Sequence, residues 1–343
     1  MSGQYSAAVV DELTRMLAAD LSRWGVSAAS ELTLLNLSEN ATFAVTDSAA
    51  RRELILRVHR IGYSSEQQIR SELAWIQALR DSRTIETAAP VAAMDGQLVQ
   101  SLPSPTGGAP RLVVAFERLP GIEPDTSGEG GNSVHWFERL GGLTARMHRH
   151  ARAWSAPAQF RRRHWDLDGT VGANAHFGPW QRAIGLDADG QQVLQRAVTH
   201  IQHRLQQYGT QPARYGLIHA DMRLANLLLD GSCLRIIDFD DCGFGWFLYD
   251  FATAVSFLEE QPVVPALLQA WLAGYQTVTP LSAQERAEIP TFVVLRRIVL
   301  SGWLASHNEI PFARQFGVAH TRDTVRLAQQ LLDGSFLSAS INT

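Results

Sequence analysis

Short apolar runs bounded by turn residues dominate this chain up to residue 119, and longer runs with a helical repeat dominate after it. Val9, Val10, Leu13, Met16, Leu17 and Leu21 recur at helical spacing, and Gly25 closes that segment. Residues 32–37 then predict a strand, Ser38-Glu39-Asn40-Ala41-Thr42 a polar loop, and residues 43–46 a second strand. Residues 53–59 predict a third. Ser64 and Ser65, three residues before Gln67 and Gln68, predict a capping box opening a helix whose apolar face holds Ile69, Leu73, Ile76 and Leu79. Residues 90–102 and 111–119 predict further strands joined by a Pro/Gly-rich loop. Pro120-Gly121 and the polar stretch 122–133 mark the boundary between two lobes. Beyond it, helices are expected over 135–153, 193–208, 247–258, 263–275, 283–305 and 321–332. Leu217-Ile218, residues 227–229 and residues 234–237 interrupt them as short buried strands, the last two joined by a tight turn at Asp230-Gly231. The pattern predicts an α+β chain: a small N-terminal sheet lobe over 1–119 and a larger, mainly helical lobe over 120–343.

Some positions break the pattern. Glu72 falls inside the apolar arc of its helix, where a carboxylate is costly unless paired. Arg57 on the preceding strand is its expected partner; the alternative is a Glu at the edge of the face that reaches water. His148 and His150 stand two apart on a helix and so point to different sides, which predicts a solvated face rather than a metal site. Residues 160–180, rich in Arg, Trp and Gly, read as an ordered loop near a cleft, either a substrate lid or surface packing.

Composition adds exclusions. The chain has 343 residues, enough for two lobes, with 45% hydrophobic and 19% charged residues. A net charge of −4 gives no bulk case for nucleic acid, and Arg161-Arg162-Arg163 is too short a cluster to make one. Cys233 and Cys242 cannot supply a disulfide framework or a four-cysteine zinc site. A leader pattern and a run of about 18 apolar residues are both missing, so no membrane partner and a cytoplasmic setting are expected. All 30 Lys+Arg residues are Arg. That excludes a Walker A loop and Schiff-base chemistry, each of which needs a lysine.

The chemistry concentrates between Tyr215 and Asp241. His219-Ala-Asp221-x-x-x-x-Asn226, then an apolar strand and Asp238-Phe239, has the spacing of kinase catalytic loops. The hairpin between them folds Asp238 back toward Asp221 and Asn226, so that oxygen ligands converge. The wider chain resembles the aminoglycoside phosphotransferase and choline kinase group, which includes bacterial homoserine kinases and shares the protein-kinase-like fold. The resemblance rests on Ser38-Glu39-Asn40, residues 56–59, Arg70-Ser71-Glu72-Leu73, Leu119-Pro120-Gly121, residues 143–148, His219 to Asn226, residues 237–241 and Tyr249-Asp250.

The resemblance implies a role for each matching residue. Asp221 is the implied base and positioning carboxylate, and Asn226 and Asp238 are magnesium ligands. Arg57, with Glu72, stands where the fold places its phosphate-binding lysine. Ser38 and Asn40 lie in the phosphate cover loop, which lacks the usual glycines. Adenine is expected to pair with backbone near Glu117 to Leu119, and Asp250 to order the catalytic loop. Arg223 either contacts the γ-phosphate or is a solvated loop residue. The reading is an ATP- and magnesium-dependent kinase for a small-molecule hydroxyl. Asp240, Asp241, Glu259 and Glu260, with Trp246, Phe247, Trp271 and Trp303, suggest an amine-bearing alcohol or hydroxy amino acid; the alternative is that Asp240 and Asp241 only assist the metal site, Glu259 and Glu260 lie on a solvated helix end and the tryptophans are core. The alternatives are a Ser/Thr protein kinase of bacterial stress-response type and a non-catalytic ATP-binding module. The oligomeric state stays open.

Overall fold

The computed structural model describes residues 7–104, 107–124, 132–308 and 311–341. Residues 125–131 of the polar stretch after the lobe boundary, and 105–106 of the Pro/Gly-rich loop, lie outside them. The chain divides into two compact units, Met1–Pro120 with Ala156–Arg162, and Gly121–Ser155 with Arg163–Thr343. Residues 156–162 therefore belong with the first unit although they follow a helix of the second.

In the first unit, strands β1 (Glu31–Leu37), β2 (Asn40–Asp47), β3 (Arg52–His59), β4 (Pro90–Val91), β5 (Val99–Leu102) and β6 (Arg111–Glu117) form one antiparallel sheet. Its order is β1-β2-β3-β6, with β4 and β5 pairing successive stretches of β6. The strand expected over 90–102 is thus two strands. The amides of Ala93 and Gly96 close a turn around Asp95-Gly96, a turn signal the apolar pattern had masked. The expected cover loop is also shorter: β2 begins at Asn40, so only Ser38 and Glu39 bridge the hairpin. Alternation puts Ala41, Phe43, Val45, Leu54, Leu56, Val58, Val113 and Ala115 into one core with Leu13, Met16, Leu17 and Leu21. Those four come from helix α1 (Ala7–Asp20) and the turn after it, which Gly25 ends in the left-handed region. Helix α2 (Glu66–Asp81) opens on a complete Ser65/Gln68 capping box.

The second unit contains α3 (Asn132–Ala153), β7 (His164–Trp165), α4 (Leu167–Val171), α5 (Ala188–Tyr208), β8 (Tyr215–Ile218), β9 (Leu227–Asp230), β10 (Cys233–Ile236) and β11 (Gly243–Trp246). Helices α6 (Tyr249–Ala254), α7 (Val264–Gln276), α8 (Ala283–Arg286), α9 (Ile289–Ser306), α10 (Pro311–Leu332) and α11 (Ser338–Ile341) complete it. β9 and β10 form the expected hairpin, Asp230 pairing Cys233 across a turn in which Gly231 has φ 57°. β7, β11 and β8 form a small sheet that the apolar pattern does not reveal, because β7 and β11 are too short to show a period. Helices α3 and α7 cross closely enough that a Cβ on Gly141 would lie 2.0 Å from the Trp271 carbonyl oxygen.

The segment Ala283–Ser306 has the length and mean apolarity of a membrane span although Arg296-Arg297 interrupts it, and 83% of its most apolar window is buried inside the structure. Its long part, α9, is the core helix around which α4, α5, α6 and α10 pack. On α10, His320 faces the Arg297 carbonyl oxygen through Nε2 at 3.1 Å, and burial, with Arg297 beside it, lowers its pKa to about 3. A histidine held neutral when folded takes up a proton on unfolding below its ordinary value of about 6.5. The stabilising contribution is therefore complete above that pH and is lost as pH falls toward the folded value. His320→Gln, which keeps a donor for the carbonyl, is expected to flatten the acid fall in unfolding free energy by about 1.4 kcal/mol per pH unit. Denaturant melts at stepped pH check this; an unchanged slope would contradict it.

Candidate active site

In the second unit, β8 delivers the chain into the loop His219–Arg223, a single 3₁₀ turn over Leu224–Asn226 follows, and β9 begins. The returning strand β10 brings Ile237 and Asp238 back beside it: the Ile237 amide donates to the Asn226 carbonyl at 2.9 Å, and His219 Nε2 donates to the Ile237 carbonyl at 3.1 Å. Two residues here hold left-handed backbone without being glycine, Ala220 (φ 67°) and Asp238 (φ 61°). Such conformations cost about 1–3 kcal/mol each and persist where the surroundings over-determine them.

Asp250, at the start of α6, supplies that over-determination. It is wholly buried and accepts from the amides of Ala220 (2.7 Å) and His219 (3.1 Å) and from His148 Nε2 (2.9 Å). Nδ1 of His148 in turn accepts from the Tyr275 hydroxyl at 2.9 Å. Thr253, one turn on, accepts from the Met222 amide at 2.9 Å. His148 is thus a buried strut and not part of a solvated face. It stands four residues after Thr144, on the same side of α3, which is the signal that would have placed it inside. Burial lowers its pKa against the opposing pull of Asp250.

Asp221 is the focus of the loop. Oδ1 accepts from Arg296 Nη2 at 2.6 Å; Oδ2 accepts from Asn226 Nδ2 at 2.7 Å and from Arg223 Nε at 3.2 Å. Burial pushes its carboxyl up, but Arg223, Arg296 and His219 more than offset this, and it lies below the ordinary carboxylate value. The loop therefore gathers Asp221, Arg223 and Asn226 directly, with Asp238 exposed two residues beyond the end of β10.

The first unit holds the other group of sequence-derived residues. Arg57 Nη2 and Glu72 Oε1 pair at 2.5 Å, both buried, with the guanidinium 5.2 Å from the Phe116 ring. Asn40 is buried in β2, and its Oδ1 accepts from the Arg60 amide at 3.2 Å. Ser38 lies in the hairpin turn, its amide donating to the Asn40 carbonyl at 3.0 Å. Glu117 is exposed at the end of β6 and its amide donates to the Ala89 carbonyl at 2.9 Å; Leu119 is half-buried beyond it. Breaking a buried pair strands a charge, at about 3–5 kcal/mol. Glu72→Gln is expected to destabilise the protein by that order, and Arg57→Met with Glu72→Leu to recover most of the loss. Thermal unfolding of the three proteins checks it; a Glu72→Gln protein as stable as the parent would contradict it.

Except for Asp240, which is buried, the acidic and aromatic residues suggested for an acceptor pocket are engaged with other side chains or packed in the core. Glu259 pairs with Arg297 at 2.5 Å, Glu260 with Arg326, and Asp241 with Arg163 at 3.2 Å. Trp246, Phe247 and Trp271 are core; Trp246 Nε1 donates to the Gly209 carbonyl and Phe247 stacks on His148. Trp303 stacks on His307. The residue that sequence reasoning missed is Arg296. Its signal was present: Arg296-Arg297 is a double charge inside an otherwise apolar helix, and buried charges require partners.

Residues 32–287 match the phosphotransferase enzyme family. A microcompartment-associated aminopropanol kinase of known structure is 40% identical, the likeness covering 94% of this chain and 99% of that one, with a TM-score of 0.86. Amicoumacin kinase of Bacillus subtilis (strain 168) is 27% identical over 262 residues, 73% of each chain. A second amicoumacin kinase, solved with AMP-PNP and Ca2+, is 23% identical with a TM-score of 0.75 over 98% of this chain and 96% of that one. The likenesses place the chain in the kinase-like α+β fold.

Proposed function

Because the chain belongs to the phosphotransferase enzyme family and is an ATP-dependent kinase of a small-molecule hydroxyl, we propose that its acceptor is an amine-bearing alcohol or hydroxy amino acid. The observation that carries this reading is the nearly full-length likeness to an aminopropanol kinase. Residues 1–119 serve as the nucleotide lobe: Arg57, fixed by Glu72, takes the α- and β-phosphates, Ser38 and Asn40 belong to the cover hairpin, and the segment Glu117 to Leu119 meets the adenine. Residues 120–343 carry catalysis and acceptor binding. A cytoplasmic setting, where ATP is supplied, suits this chemistry.

Asp221 holds the acceptor hydroxyl and takes its proton; Arg223 lies beside it to meet negative charge on the transferred group. Asn226 and Asp238 are the metal ligands. Their fit to magnesium is chemical: both offer oxygen, and the Asn226 amide turns its nitrogen to Asp221, at 2.7 Å from Oδ2 and 2.8 Å from the main-chain oxygen, which leaves its own oxygen for a cation. Among the described residues no cluster of three His, Cys, Asp or Glu side chains competes for a softer metal. When bound, magnesium neutralises charge on the ATP phosphates.

A consequence is that ATP stabilises the fold mainly when magnesium accompanies it. A ligand at a hundredfold excess over its Kd adds about 2.7 kcal/mol, and Asp238→Ala is expected to erase the magnesium-dependent part. Thermal midpoints with ATP in magnesium and in excess chelator test this; equal stabilisation in both would contradict it. Acceptor class is tested with a panel of amino alcohols, hydroxy amino acids and neutral isosteres lacking nitrogen. The amine-bearing compounds are expected to lead in kcat/KM by about tenfold or more, the scale of one ammonium contact. A best acceptor without an amine would overturn the reading.

A further inference from the structure

The carboxylate of Asp221 has two oxygens and about four lone-pair sites. Arg223 Nε and Asn226 Nδ2 fill Oδ2, and Arg296 Nη2 takes one site on Oδ1. Among the described residues no other donor meets the carboxylate, which leaves one site on Oδ1, next to Arg296. Asp221 keeps 15% of its side chain exposed, whereas Arg296 is 2% exposed and enters from α9, far along the chain from the catalytic loop. Its Nε donates to Ser256 Oγ at 3.2 Å, and its guanidinium carbon lies 5.8 Å and 6.0 Å from the ring centroids of Phe177 and Tyr249. Nη1 is buried, and the Tyr249 hydroxyl is the side-chain group that interacts with this guanidinium. The next residue, Arg297, grips the far side of the same turn through Glu259, and between Ser256 and Glu259 the bulky Phe257 is held at φ 68°. The guanidinium is locked before any acceptor arrives.

Resting on the assignment of Asp221 above, we propose that Arg296 is a positioning residue for phosphoryl transfer. By occupying one lone pair of Oδ1 it fixes the carboxylate and steers the acceptor hydroxyl onto the other. The fork geometry of arginine matters here: Nε reaches Ser256 while Nη2 reaches Asp221, which a lysine ammonium cannot do from one position.

The test uses whichever acceptor the parent enzyme phosphorylates, so failure of the amine reading leaves it intact, and failure of the Asp221 assignment shows separately as an active Asp221→Asn variant. Misplacing a reacting group by an ångström costs about 10²-fold. Arg296→Ala is expected to lose about that factor in kcat while magnesium-ATP binding, read by calorimetry, stays unchanged. Guanidinium ion added at sub-denaturing concentration is expected to restore about tenfold or more to Arg296→Ala and nothing to the parent; Arg296→Lys is expected to fall between the two. Arg297→Ala, which removes the neighbouring buried cation, controls for stability and is expected to show no guanidinium rescue. An Arg296→Ala enzyme with parental kcat overturns the proposal. So does a loss that guanidinium leaves untouched and that matches the unfolded fraction seen by circular dichroism. If the alanine variant does not fold, Arg296→Lys decides, since parental kcat there would equally overturn it.

Discussion

Replacing Asp221 with Asn is expected to lower kcat by about 10²–10⁴-fold, the range for a positioned proton acceptor, while magnesium-ATP still binds. The substitution is nearly isosteric but removes the charge that organises three donors. In the parent, Arg296, Arg223 and Asn226 all point hydrogen at the carboxylate. An amide offers one oxygen to those donors and turns its own N–H groups against the rest. The acceptor hydroxyl then loses both its proton acceptor and its fixed place. Steady-state kinetics with calorimetric ATP titration separates the two effects. Parental kcat on the true acceptor would show that Asp221 is not the base.

The second large effect is expected at Asp250, which need not touch any substrate. Asp250→Ala strands the amides of His219 and Ala220 and Nε2 of His148, all in fully buried residues. Each unsatisfied buried donor costs about 1–3 kcal/mol, so a loss of about 3 kcal/mol or more is expected. The damage is also local. Ala220 at φ 67° is held only while its amide is paired, and releasing it frees the peptide that leads into Asp221. Folded Asp250→Ala protein should therefore have a kcat deficit beyond its unfolded fraction. His148→Leu, which removes one of the three donors and keeps the carboxylate, should be milder in both respects. Denaturant unfolding alongside kinetics gives both numbers, and unchanged stability with unchanged kcat would refute the strut.

What the sequence showed follows from how local each signal is. The β9–β10 hairpin was legible because two apolar runs flank Asp230-Gly231, and the turn alone sets their pairing. Arg57 and Glu72 were legible as a pair because one charge on an apolar helix face needs a partner and the adjacent strand offered one. β7 and β11 were not legible, since strands of two to four residues carry no period. The strand over 90–102 was misread because its apolar residues run on across the Asp95-Gly96 turn. The pairing of the acidic residues suggested for an acceptor pocket was not legible for another reason. Whether Glu259 is free depends on Arg297, 38 residues away, and nothing local records that pairing. Arg296 reaches Asp221 across 75 residues by the same kind of contact. A chain whose 30 Lys+Arg residues are all Arg holds several of its carboxylates in arginine pairs.

The most direct test of the account is the fate of a labelled phosphoryl group. The protein would be incubated with magnesium, ATP carrying heavy oxygen in the γ-phosphoryl group, and a mixture of amino alcohols, hydroxy amino acids and their neutral isosteres. Mass spectrometry would then follow the label in small molecules, inorganic phosphate and the protein. The account predicts labelled phosphate monoester on the hydroxyl of an amine-bearing acceptor with the parent, and about 10²-fold less or lower with Asp221→Asn. Label found only in inorganic phosphate or on protein side chains, or ester formation indifferent to Asp221, would contradict it.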